Sequence, residues 1–102
     1  MDTDKKIKVT VLIKAVDSKQ TKEIEHTDEY RVLHQVKRLF KEVSGEADEV
    51  GKEEILHLLN ASKLSNEIMA DAFINVNRED LFDDKIKSIL TIDEIINQIN
   101  NI

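Results

Sequence analysis

A chain of 102 residues, 40% apolar and 35% charged, has the size of one ordinary domain and is too apolar for a disordered tail. Its charges interrupt every stretch that could span a membrane, and the absence of cysteine excludes disulfides and thiolate metal sites. The formal net charge of −6 is unevenly held: residues 1–45 carry ten Lys or Arg against eight Asp or Glu, and residues 46–102 carry five against thirteen. The opening residues Met1-Asp-Thr-Asp-Lys-Lys6 lack the basic and apolar regions of a secretory signal, so a single cytoplasmic domain over 1–102 is expected. Thirteen isoleucines, with seven asparagines all after residue 59, are typical of AT-rich coding sequence and point to a bacterial, phage or plasmid origin.

In chain order, residues 6–16 alternate Ile7, Val9, Val11, Ile13 and Ala15 with Lys6, Lys8, Thr10, Leu12 and Lys14, the period of a half-buried β-strand. Asp17-Ser-Lys19 supplies a turn, and Gln20–Thr27 is the weak return strand of a hairpin, with Ile24 its one aliphatic residue. Such a ribbon is marginal alone and must lie on helices or pair through an open edge, which makes a homodimer through the 6–16 strand the expected self-association.

From Thr27, placed as N-cap, the period becomes helical and continues to Gly45. Leu33, Val36, Phe40 and Val43, flanked by Val32 and Leu39, form the inward stripe. Arg31, His34, Arg38 and Lys41, helped by Lys37, form a basic outer face. Glu46–Gly51 reads as an acidic loop. A second helix is expected over about 52–62 with Ile55, Leu58 and Leu59 inward. A third is capped by Ser65 and carries Ile68, Met69, Ala72, Phe73 and Val76. Residues 77–84 read as a loop or short helix, and Thr91-Ile-Asp-Glu94 has capping-box spacing for a last helix burying Ile92, Ile95, Ile96 and Ile99. The expected fold class is therefore α+β, an N-terminal β-hairpin packed on three to four amphipathic helices.

Few parts for chemistry are present. His26, His34 and His57 stand at no metal-ligand spacing from one another. Ser18, Ser44, Ser62 and Ser65 fall at a turn and at helix ends, no nucleophile elbow is present, and two glycines cannot build a phosphate-cradling loop. The many adjacent carboxylates read as a solvated face. A non-enzymatic protein without a cofactor is the expectation.

The acidic loop, Val50 and Glu54-Ile55, followed by Leu90-Thr91 and Glu94-Ile95, resemble the second halves of two EF-hand loops. The first halves depart from that pattern: Val43, Gly45 and Ala47 stand where oxygen ligands belong in one, and Lys85, Lys87 and Ser88 interrupt the other. The resemblance implies at most a degenerate helix-loop-helix pair without calcium. The order of a short β segment and acidic helices is also broadly similar to that of small phage tail-assembly chaperones, with no diagnostic residue matched.

The charge split places the protein in the interaction class, as an inhibitor, adaptor or assembly chaperone. Glu46, Asp48, Glu49, Glu53 and Glu54 would face another protein with a basic surface. The rival is a nucleic-acid-binding protein using Arg31, Lys37, Arg38 and Lys41, a reading opposed by the overall negative charge.

Overall fold

The computed structural model describes residues 4–18 and 28–102. The chain runs as β1 (Lys6–Lys8), α1 (Val9–Asp17), α2 (Asp28–Ser44), a 3-10 turn (Gly45–Ala47), β2 (Glu49–Gly51), α3 (Lys52–Asn75) and α4 (Glu79–Asn100). The fold is α+β: a two-stranded antiparallel ribbon lies on four helices. The ribbon is shorter than expected and is assembled differently. Lys6 pairs with Gly51, Ile7 with Val50 and Lys8 with Glu49, so the partner strand comes from the acidic loop. The expected return strand at 20–27, with Thr27 and His26, lies outside the described residues.

Residues 9–17 are helical where the alternation predicts strand. Two periods coexist in this segment. Alternation leaves Leu12 and Val16 on the wet face, whereas a helix gathers Val9, Leu12 and Val16 on one side, and all three are buried. Val11, inward on the strand reading, is 44% exposed. The Val9 amide donates to the Asp48 carbonyl at 3.0 Å, the last ladder-like bond before the backbone coils. Self-association through residues 6–16 therefore has only Lys6–Lys8 in strand conformation.

α2 forms as its stripe requires: Val32, Leu33, Val36 and Phe40 are buried, and Leu39 and Val43 pack against them. It stops at Gly45, whose φ of +56° is the left-handed conformation that glycine adopts without a Cβ penalty. The core continues into the first half of α3 (Ile55, Leu59) and the second half of α4 (Ile92, Ile95, Ile99).

The two helices expected over 52–62 and from Ser65 are a single helix, α3. No Gly or Pro interrupts 52–75, so Ser65 sits exposed in mid-helix and caps nothing. The last helix likewise begins at Glu79 and not at Thr91. Thr91 is buried inside it, and its hydroxyl donates to the Lys87 carbonyl at 2.8 Å instead of closing a capping box. Asn77, with φ +56°, turns α3 into α4. The amides of Asn77 and Arg78 donate to the Ile74 and Phe73 carbonyls at 3.2 and 2.9 Å, a Schellman closure with asparagine in the usual glycine place.

The start of α3 is capped from 49 residues away. Asp4 Oδ1 accepts from the Glu53 amide at 2.8 Å and Oδ2 from the Glu54 amide at 3.4 Å, satisfying donors that the helix leaves open. The carboxylate reaches them over Gly51, where an added Cβ would overlap its oxygen. At the other end of the sequence, Lys5 Nζ donates to the Ile102 carbonyl at 3.1 Å and Lys52 Nζ to the Asn100 carbonyl at 3.3 Å.

Asp4→Ala costs about 0.5–2 kcal/mol of folding free energy, the range for a lost helix cap, and Asp4→Asn costs less. Gly51→Ala expels the same carboxylate, so in a urea-denaturation double-mutant cycle the two losses overlap; strict additivity would mean that the cap and the glycine act independently. Along α3, Leu59→Ala lowers stability by about 2–5 kcal/mol, as for other buried leucines. Leu64→Ala, on the exposed stretch, changes it by about 0.5 kcal/mol or less, and equal losses would place Leu64 in the core.

Candidate functional site

α2 and α3 both lie on α4 and face each other across a groove of about 420 Å³. Val32, Val36 and Leu39 of α2, Leu58 and Leu59 of α3 and Ile92 of α4 supply its apolar walls and floor. It exists because the positions that should fill it, Ser62, Asn66, Ser88 and Gln35, carry short or polar side chains. A second hollow of about 240 Å³ shares Val32, Gln35, Lys85 and Ser88 with the first, and extends it past Arg31, Phe73, Leu81 and Asp84.

The groove is less acidic than the molecule as a whole. Arg31, Arg38 and Lys85 line it against Glu42 and Asp84. Arg38 Nη2 lies 3.8 Å from Glu42 Oε1 with both side chains 68% exposed, a contact of little energetic weight. Lys85 is half-buried on the floor and has no ion pair among the described residues.

The acidic residues singled out in the sequence stay together and in solvent. Glu46 lies in the 3-10 turn, Asp48 in left-handed backbone with φ 53°, Glu49 in β2, and Glu53 and Glu54 in the first turn of α3; all five are exposed. Part of their charge has a local purpose. Glu53 and Glu54 complement the positive end of the α3 dipole, and Glu49 stands directly across the ribbon from Lys8.

The basic face of α2 is realised in part. Arg31, His34, Arg38 and Lys41 are exposed, and Tyr30 stacks on His34 with centroids 6.5 Å apart. Lys37 leaves that face: its ammonium turns to Asp17 of α1 in a partly buried ion pair. Residue 37 lies one turn from Phe40 and points along the core edge, which the linear cluster of charges conceals.

The EF-hand comparison meets one loop and not two. Residues 43–54 join α2 to α3, but residues 83–94 lie wholly inside α4, and Val50 pairs with Ile7 where a second calcium loop would stand. Among the described residues no group of three or more His, Asp or Glu is placed to hold a metal ion, and none of their helices is long and apolar enough to cross a membrane.

Beyond the core, α3 and α4 continue as a hairpin in which Ala70 is the one fully buried residue between 60 and 90. Lys63 Nζ donates to Asp93 Oδ1 at 2.6 Å and ties its arms together. That hydrogen bond holds the Lys63 ammonium above its ordinary pKa of 10.5, against some desolvation and with help from the charges of Asp93 and Glu67. The stripe expected to be inward on the third helix is largely in solvent: Ile68 is 61% exposed, Met69 42% and Val76 63%, Ala72 is exposed, and Phe73 is half-buried. The cause is that α3 spends its inward arc on Asn66, Ala70 and Phe73, so apolar residues elsewhere on its circumference stay largely in solvent.

The groove was not legible in the sequence. Its one visible trace is the pair Ser62 and Asn66, polar residues four apart on the arc that Leu59 and Ala70 bury, and this trace has meaning only once 52–75 is a continuous helix. Comparisons with protein families, with curated proteins and with solved structures found no match to this chain.

Proposed function

We propose that this chain is a non-enzymatic protein-interaction module, acting as an inhibitor, adaptor or assembly chaperone, that takes an amphipathic helix of a partner protein into the α2–α3 groove. The observation that carries this reading is the groove itself, an apolar trough on a helical floor with Lys85 half-buried in it. Helix-in-groove recognition needs an apolar stripe to displace water and a charged flank to fix register. Here Lys85, which has no ion pair among the described residues, asks for a carboxylate on that flank.

Two other surfaces remain as readings. The exposed cluster Glu46, Asp48, Glu49, Glu53 and Glu54 suits a partner with a basic surface, favoured by having all five side chains in solvent on one short stretch. Nucleic-acid binding rests on Arg31, Arg38 and Lys41 beside the Tyr30–His34 stack, and it is weakened by the withdrawal of Lys37.

A synthetic helical peptide with a leucine stripe flanked by glutamates, and its lysine-flanked counterpart, separate these readings by fluorescence anisotropy. The groove reading expects the glutamate peptide to bind, and Lys85→Glu or the stem-preserving Lys85→Met to weaken it about tenfold. Binding of the lysine peptide alone, lost when Glu49, Glu53 and Glu54 are changed to lysine, moves the site to the acidic edge. Binding of a DNA or RNA oligonucleotide that disappears in Arg38→Glu with Lys41→Glu moves it to the outer face of α2.

A further inference from the structure

We infer that the chain associates with further copies of itself head to tail, the outer face of α3 in one copy lying in the α2–α3 groove of the next. This inference rests on the reading that the groove accepts an acid-flanked amphipathic helix. The chain itself carries such a helix. Leu64 and Ile68 are 55% and 61% exposed, four residues apart on the face of α3 that points away from Leu59 and Ala70. At about 3.6 residues per turn the small residues Ala61 and Ala72 continue the same stripe, which lets another backbone approach closely. Glu67 and Asp71 run along one flank of it.

The ridge therefore supplies what the groove lacks, aliphatic bulk and a carboxylate for Lys85, and the groove supplies what the ridge lacks, an apolar trough with Lys85 on its floor. A second exposed aliphatic pair, Ile86 and Leu90 on α4, also has carboxylates beside it, Asp83 and Glu94, but Lys87 stands on the same flank and offsets them, whereas Glu67 and Asp71 flank the α3 stripe with no cation between them. Charge complementarity thus selects α3 as the occupant. Ridge and groove are different patches of one surface, so the contact is heterologous: each copy in a pair keeps one unused ridge and one unused groove, and growth continues unless a ring closes. The net charge of −6 on every copy opposes the contact and keeps it weak, so the associated fraction rises only as protein concentration rises.

Sedimentation velocity and light scattering of the full chain over a concentration series test this. The expected result is a weight-average mass that rises past the dimer. Lys85→Glu, which disables the groove, and Ile68→Asp, which disables the exposed ridge, each return the chain to monomer with unchanged circular dichroism. Mixed in equal amounts, the two variants form a one-to-one pair that grows no further, because one retains a working ridge and the other a working groove. A wild-type chain that stays monomeric throughout overturns the inference, as does a dimer that stops at two and survives Lys85→Glu, which would mean ridge on ridge. Either result, alongside intact binding of the glutamate-flanked peptide, overturns the association and leaves the groove reading standing; no binding of that peptide, together with association that Lys85→Glu does not abolish, overturns both.

Discussion

The fold depends on a carboxylate reaching across a missing side chain. Asp4 stands within hydrogen-bond distance of two amides at the start of α3 only because residue 51 has no Cβ, and that contact brings the N-terminal segment against the middle of the chain. Once there, Ile7 and Val50 meet across a ribbon of three residues per strand and are both buried. A ribbon so short has little stability of its own. It persists because its inner face joins the helical core and its ends are held by the Asp4 cap, the Lys52 amide on the Lys5 carbonyl at 2.7 Å, and the Val9 amide on Asp48. The same segment places the Lys5 ammonium on the Ile102 carbonyl, so the end of α4 and the start of α3 are both tied to the residues just before β1.

Packing is distributed unequally along the two longest helices. α3 and α4 meet α1 and α2 through only half their length, where Ile55, Leu59, Ile92, Ile95 and Ile99 are almost wholly excluded from water. Their other halves form a two-helix arm whose interior is Ala70 and a set of half-buried side chains. Local opening free energy follows buried apolar contact, so the arm is the part of the described structure that opens most readily. The Lys63–Asp93 pair crosses it near its base and adds a modest restraint, present below the lysine's raised pKa and lost as pH climbs through it.

Charge on this surface is organised locally and not by halves of the sequence. The acidic excess of residues 46–102 is shared among the dipole end of α3, the outer face of the hairpin and the turn into α4, while Lys85 from that same acidic half stands beside Arg31 and Arg38 of the basic half. The trough between α2 and α3, where Glu42 and Asp84 stand against these cations, is consequently nearly balanced in charge on an anionic protein, with Lys85 its cation without an ion pair among the described residues. A field of that kind discriminates between partners more than it adds to affinity, because the wrong sign of charge costs more than the right sign returns.

Residue pattern alone determined α2, its buried stripe from Val32 to Val43 and its stop at Gly45, because a 17-residue amphipathic run with a left-handed glycine at its end has one low-energy form. It also determined the inward residues Ile55, Leu59, Ile92, Ile95 and Ile99, and the α+β class. It did not decide residues 9–17, where strand and helix periods are both satisfied and burial of Leu12 and Val16 against α2 and α4 chose the helix. Ser65 and Thr91 looked like helix starts because a hydroxyl before a carboxylate permits a cap without requiring one; with no glycine or proline nearby, packing carried both helices straight through. The acidic cluster was legible because it is contiguous in the chain. The groove, the Lys37–Asp17 pair and the distant cap on α3 were decided only by tertiary structure, since each joins residues from elements that the sequence separates and that only packing brings within reach.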